Sequence, residues 1–288
     1  MGAQRIDGKL IATKKRQAMK SQIESMKQQG YVPGLAVILV GEDPASISYV
    51  KGKIRDCKEV GIYSELIQFD VTVSEKQVLE QIEILNANDK IHGLLVQLPL
   101  PDHISEQKVI QAISPEKDVD GFHPINVGRL VTKQEGFVSC TPAGIIEMLK
   151  AIDVPISGKH VVIVGRSNIV GKPAALLFLN LDATVTVCHS KTKPLSKYTK
   201  QADILVAAAG SEALIHANDI KPGAIVIDVG MNRSASGRLV GDVAFEEVKE
   251  KAGYITPVPG GVGPMTRVML LENTLIAAMR QHEKAGKQ

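Results

Sequence analysis

The sequence predicts an α/β protein of two domains, each a three-layer unit in which a parallel sheet carries helices on both faces. Three observations lead there. The chain has 288 residues, near the roughly 250 to 300 at which a single hydrophobic core stops growing. Hydrophobic residues make up 44% of it, while Phe, Tyr and Trp together supply only 3%, so the core is aliphatic, as in helix-covered parallel sheets. Short apolar runs rich in Val, Ile and Leu alternate with helical periods along most of the chain, and such alternation builds parallel strands joined by crossover helices.

Residues 8–29 read as the first helix, with Ile11, Met19, Ile23 and Met26 on one stripe, ended by Tyr31-Val32-Pro33-Gly34 before the strand LAVILV. Asp43-Pro44 is an N-cap with proline at the first helical position. The strand SELIQF follows, then a helix opened by Ser74 with Gln77 completing a capping box, then the strand HGLLVQLPL. From Asp118 to Cys140 the pattern loosens into a long irregular stretch, which serves as a linker or carries function, and the domain boundary is expected there. A helix TPAGIIEMLKAI leads into strands at HVVIV, TVTVC, ILVAAA, AIVIDVG and YITPV, and a final helix starts at Met265. The expected division is 1–139, completed by the helix 265–288, and 140–264.

Composition narrows the function. The net charge of +3, from 34 basic and 31 acidic side chains, suits a phosphate-bearing small molecule better than a nucleic-acid footprint, and the scarcity of aromatics argues against base-stacking platforms. Cys57, Cys140 and Cys188 are far apart and lack Cys-x-x-Cys spacing, so neither a disulfide framework nor a metal site is expected. The sequence holds no apolar run of 18 residues and no signal-like start. A cytoplasmic protein without membrane association is expected.

Gly165-x-Ser167-x-x-x-Gly171 joins the strand HVVIV to the helix GKPAALLFL, the context of a dinucleotide fingerprint, in which a tight turn aims a helix N-terminus at a pyrophosphate. Serine in place of the second glycine departs from that pattern, and a strand-to-helix turn that merely needs glycine is the plainer reading. The next strand ends in Cys188-His189-Ser190-Lys191 where an NAD site places Asp or Glu, and Arg166 lies in the first loop, a donor set that favours NADP. A solvated Lys and Arg pair would read the same way. Upstream, Tyr49 and Lys53 share a helix face at i, i+4, which also suits a surface tyrosine beside a solvated lysine. Gln97 sits at the carboxyl end of a buried strand, where α/β sheets bind ligands or where an amide caps the strand. KDVDGFHP offers Asp118 and Asp120 in a loop between the domains, where an aspartate at a turn before glycine also suits a structural role, and TPVPGGVGPMT specifies so much backbone that it suits close ligand approach.

Taken together, SYVKGK, HGLLVQLPLP, KDVDGFHPINVGRL, CTPAG, GRSNIVGKP, VTVCHSKTK, IDVGMNR, GDV and PGGVGPMT resemble, in order, the bifunctional methylenetetrahydrofolate dehydrogenase/cyclohydrolase family. The resemblance implies two domains around a cleft, the second a Rossmann-type domain holding NADP, with folate in the cleft, a homodimer and no metal. It implies NADP-dependent oxidation of 5,10-methylenetetrahydrofolate and hydrolysis of the methenyl product to 10-formyltetrahydrofolate, a reaction pair of one-carbon metabolism; a member retaining only one activity is the alternative. Lys53 matches the catalytic lysine, Gln97 the glutamine beside it, Tyr49 the tyrosine of the folate ring and Asp120 the aspartate that holds the pterin. Val96, Leu98, Pro259, Gly260 and Gly261 fall on substrate positions, and Gly165, Arg166, Ser167, Ser190, Lys191 and Met231 on cofactor positions. Two residues depart from the family's pattern: Arg267 stands where a small aliphatic is usual, and Lys191 where arginine is common.

Overall fold

Apolar runs without polar alternation become strands covered on both sides, and runs with alternation become edges. In a computed structural model describing residues 2–285, the first half of the chain forms β1 (Gln4–Arg5), α1 (Gly8–Gln28), β2 (Gly34–Val40), α2 (Pro44–Val60), β3 (Tyr63–Phe69), α3 (Glu75–Asn86), β4 (Gly93–Val96), α4 (Glu106–Ala112) and α5 (Pro124–Val131). The second half forms α6 (Cys140–Ala151), β5 (His160–Val164), α7 (Gly171–Asn180), β6 (Thr184–Cys188), α8 (Ser196–Thr199), β7 (Ile204–Ala207), β8 (Ile225–Asp228), β9 (Asn232–Arg233), β10 (Leu239–Val240), α9 (Phe245–Val248), β11 (Tyr254–Ile255) and α10 (Val262–Ala285). The chain divides into two compact units, one made of Lys14–Cys140 and α10 from Arg267 onward, the other of Thr141–Thr266 and the residues before Lys14.

In the first unit three parallel strands lie in the order β3-β2-β4. Every residue of β2 and β4 is buried, whereas the edge strand β3 alternates. Val78, Ile82 and Leu85 of α3 cover Ala36, Ile38 and Val40 of β2 together with Leu94 and Val96 of β4. α2 packs on β2 and β3. It begins where its sequence says it should: the Asp43 carboxylate accepts from Ser46 N, Pro44 takes the first position, and Gly61 closes the helix at φ 92°. The Ser74/Gln77 capping box is also formed.

The expected irregular stretch 118–140 contains α5, a helix of eight residues. The buried Asp118 organises it: Oδ1 accepts from Phe122 N, and Oδ2 accepts from His123 N and the Asn126 amide. Pro124 then starts the helix, and the His123 ring accepts from Ile125 N.

The second unit has six parallel strands in the order β1-β11-β8-β7-β5-β6. The chain runs outward from β5 to β6 and returns on the other side of β5 as β7, a topological switch point of the kind at which α/β sheets bind ligands. The division at the N-terminus differs from expectation, since residues 2–13 belong here rather than with the first domain. The reason is pairing: β1 lies beside β11, Gln4 opposite Tyr254 and Arg5 opposite Ile255, and Gly8 packs so tightly on Gly261 that a Cβ would stand 1.9 Å from the Gly261 carbonyl oxygen. The C-terminal helix starts at Val262 rather than Met265, and the last three residues of its expected range, 286–288, lie outside the described residues. Among the described residues, no helix is long and apolar enough to cross a membrane.

Candidate active site

In the first unit the chain leaves β2 into α2 and returns through β4, so side chains of α2 and of the residues after β4 gather at the carboxyl edge of the sheet. Lys53, on α2, is 9% exposed, and its Nζ donates to Gln97 Oε1 at 3.2 Å. Gln97 is fixed on both sides. Its backbone N–H extends the ladder to Ile38 O at 2.8 Å, and its Nε2 donates to Leu98 O at 2.7 Å, which turns the amide oxygen toward the lysine. Val96 is buried as the last strand residue, and Leu98 is partly buried. Tyr49, one turn before Lys53, is half-buried, and burial raises its phenol pKa while the charge of Arg267 pulls it back down.

The two aspartates of the turn separate clearly. Asp118 is the internal one, 2% exposed, with a carboxyl that burial pushes up to about 6 against the hydrogen bonds it accepts. Asp120 is partly exposed. Its Oδ1 lies 4.0 Å from the Cys140 thiol, which donates to Val119 O at 3.3 Å. Asn273 of α10 ties this corner together by donating to Val119 O and Val138 O. Burial holds the Cys140 thiol well above its ordinary pKa and pushes that of Cys57 up to about 12, so both remain neutral.

In the second unit all six strands present their carboxyl ends on one edge. A Cβ on Gly165 (φ 129°) would stand 2.0 Å from Ala208 O, and one on Gly171 2.3 Å from Gly165 O; only glycine permits these approaches. Ser167, in place of the second glycine, accepts through Oγ from the backbone N–H groups of Val170 and Gly171, the start of α7. Val164 lies opposite Cys188, which sets the loop of Arg166 beside the turn of Ser190 and Lys191. All three of these side chains are exposed, and the turn is built by His189, whose ring accepts from Lys191 N. Met231, 47% exposed, follows β8 on the same edge. Pro259, Gly260 and Gly261 follow β11; Gly260 (φ 107°) accepts from Lys9 N through its carbonyl.

Three carboxylates near these sites had no expected role. Asp242 accepts from the backbone N–H groups of Ala209, Gly210 and Ser211 and from the Asn232 amide, while Asp228 accepts from Gly230, Asp242 and Val243 N–H. These carboxylates hold the loops after β7 and β8; they lie in the IDVGMNR and GDV stretches of the family's pattern, which carried no assigned role. Asp56 is 2% exposed and pairs with Arg267 at 2.8 Å; its spacing of three from Lys53 was the available signal.

Known proteins match both units. Residues 6–120 match the tetrahydrofolate dehydrogenase/cyclohydrolase catalytic domain, and residues 139–282 the NAD(P)-binding domain of the same family. The bifunctional protein FolD of Bacillus cytotoxicus is 60% identical over 275 residues, 96% of each chain. The structure of the bifunctional methylenetetrahydrofolate dehydrogenase/cyclohydrolase FolD from Campylobacter jejuni matches with a TM-score of 0.95 at 50% identity, covering 96% of this chain and 99% of that one. The Trypanosoma brucei dehydrogenase-cyclohydrolase, solved with NADP and an inhibitor, gives a TM-score of 0.93 at 38% identity, covering 97% and 98%. With a buried lysine held by a glutamine in one unit and a glycine-lined nucleotide edge in the other, the chain belongs to the tetrahydrofolate dehydrogenase/cyclohydrolase family.

Proposed function

We propose that the protein oxidises 5,10-methylenetetrahydrofolate to the methenyl form with NADP and hydrolyses that product to 10-formyltetrahydrofolate, acting as a homodimer in the cytoplasm. The observation that carries the reading is the buried amine of Lys53 facing the Gln97 amide oxygen at 3.2 Å. NADP, when bound, supplies the hydride acceptor. The glycine-lined turn at 165–171 fits it, because a side chain on either glycine would fill the space against the backbone, and Arg166, Ser190 and Lys191 offer two charges and a hydroxyl to its 2′-phosphate.

The folate carbon that loses hydride lies between two nitrogens whose lone pairs stabilise the resulting cation, so this step releases no proton and needs orientation rather than a base. Asp120 provides orientation by accepting hydrogen bonds from the pterin amino and ring N–H edge, and Tyr49 by lying along the ring system. Hydrolysis differs. As the water oxygen bonds to the methenyl carbon, the C=N π pair returns to nitrogen and the oxygen loses a proton to Lys53, as the neutral amine. The adduct then collapses as a second proton leaves its hydroxyl, the C–N5 bond breaks and N5 departs with a proton returned from the ammonium, leaving the formyl group on N10. Gln97 holds that amine without the negative charge that would keep it protonated. Arg267, which departs from the family's pattern, turns to Asp56 and leaves the Lys53–Gln97 contact intact, so it lends no support to the single-activity alternative.

The test follows methenyl absorbance with purified protein, 5,10-methylenetetrahydrofolate and either nucleotide. The signal is expected to form faster with NADP than with NAD and to decay faster than in buffer; no formation, or the reverse nucleotide order, contradicts the reading.

A further inference from the structure

Lys53 shares its face of α2 with a carboxylate. Asp56, three residues on, is 2% exposed, and residues three apart on a helix bring their Cβ atoms to within about 5–6 Å. A buried carboxylate at that range is a ready counter-ion for an amine, and an amine so paired keeps its proton, which disables a base. In this protein Asp56 is engaged from α10. Arg267 Nε lies 2.8 Å from Asp56 Oδ2. Its guanidinium crosses α2 at Gly52, where a Cβ would stand 2.9 Å from Arg267 Nη1, so glycine at 52 makes room for it. Neither Nε nor Oδ2 has an aligned hydrogen-bond partner; the contact is one of charge. Arg55 approaches the other oxygen, Oδ1, at 3.6 Å from a side chain that is 70% exposed, so water screens it.

From this arrangement we infer that Arg267 is a positioning residue for hydrolysis, pairing with Asp56 so that the carboxylate does not bind Lys53 and the amine stays with Gln97. The inference rests on the proposed role of Lys53 as the base. Gln97 accepts from the amine, Cys57 lies in the field of both Lys53 and Asp56, Cys140 in that of Lys53, Asp118 and Asp120, and Tyr49, one turn before Lys53, in that of Arg267. The two thiols are neutral, Asp118 is committed to the start of α5, and Asp120 faces the substrate in the proposed mechanism. Asp56 is therefore the carboxylate left to pair with the amine once Arg267 is removed.

The experiment compares pH profiles of methenyl hydrolysis in wild type, Arg267→Val and the double variant Arg267→Val/Asp56→Ala, with dehydrogenase rate and thermal midpoint measured alongside. Arg267→Val is expected to move the profile to higher pH, each unit lowering hydrolysis at fixed pH about tenfold through the neutral fraction of the amine, while the dehydrogenase falls less. Removing Asp56 as well is expected to return the profile to its wild-type position. Arg267→Gln, which keeps a donor but removes the charge, carries the same expectation should the valine variant not fold. An unmoved profile overturns the inference, as does an equal loss of both activities that the second substitution does not repair. Wild-type protein without any methenyl hydrolysis removes the functional reading and this inference together, whereas active wild type with an indifferent Arg267 removes the inference alone.

Discussion

At the scale of single residues, burial separates side chains that the sequence leaves equivalent. Asp118 and Asp120 are two acids of one turn in the sequence; in the structure one is sealed against backbone N–H groups and the other is open to a ligand. Lys53 and Gln97 were legible as a pair only through the family's motifs, because 44 residues separate them and no local rule links a helix to the end of a later strand. Arg267 was legible as a departure, whereas its partner, Asp56, carried only a spacing of three from Lys53, which does not point to α10. The Asp120 assignment makes a residue-level prediction: Asp120→Ala removes charge-assisted hydrogen bonds of about 1.5–3 kcal/mol and is expected to raise the folate KM roughly 10- to 100-fold in both reactions. Unchanged Michaelis constants in steady-state assays would exclude that role.

At the scale of elements, what could be read was what is decided locally. The Asp43-Pro44 start of α2 and the capping box of α3 depend on side chains within three residues of the backbone they satisfy, so sequence spacing is enough. β1 has two residues and no periodicity; it exists because β11 offers it a ladder. α5 escaped for a similar reason, since its entry is held by Asp118, five residues before His123. That buried carboxyl links α5 to pH. Its native pKa of about 6 lies above the unfolded value of about 3.9, so the native state binds the proton more tightly. The burial penalty is complete above pH 6 and is relieved as pH falls toward 4. Wild type is expected to gain about 1 kcal/mol relative to Asp118→Asn between pH 7 and 5, read as the difference in denaturant stability; a difference independent of pH contradicts the assignment. Asp228, also pushed up to about 6 by burial, acts in the same direction in the other unit and is common to both proteins in that comparison.

At the scale of the whole molecule, alternating periods and an aliphatic core were sufficient to read two parallel-sheet units, because each βαβ step is encoded in a continuous stretch. Where the units divide was less legible. The N-terminal segment joins a strand remote in sequence, and pairing across such a distance leaves no local trace. The division nonetheless parallels the proposed chemistry: the glycine-lined edge of one unit binds the nucleotide, and the α2 face of the other handles a proton. The most direct test of that separation is methenyl absorbance in Lys53→Met supplied with 5,10-methylenetetrahydrofolate and NADP. The methenyl signal is expected still to form and then to decay no faster than in buffer, a loss of about 10²- to 10⁴-fold in the enzymatic hydrolysis. Loss of formation and decay to the same degree, in a folded variant that still binds folate, would contradict it.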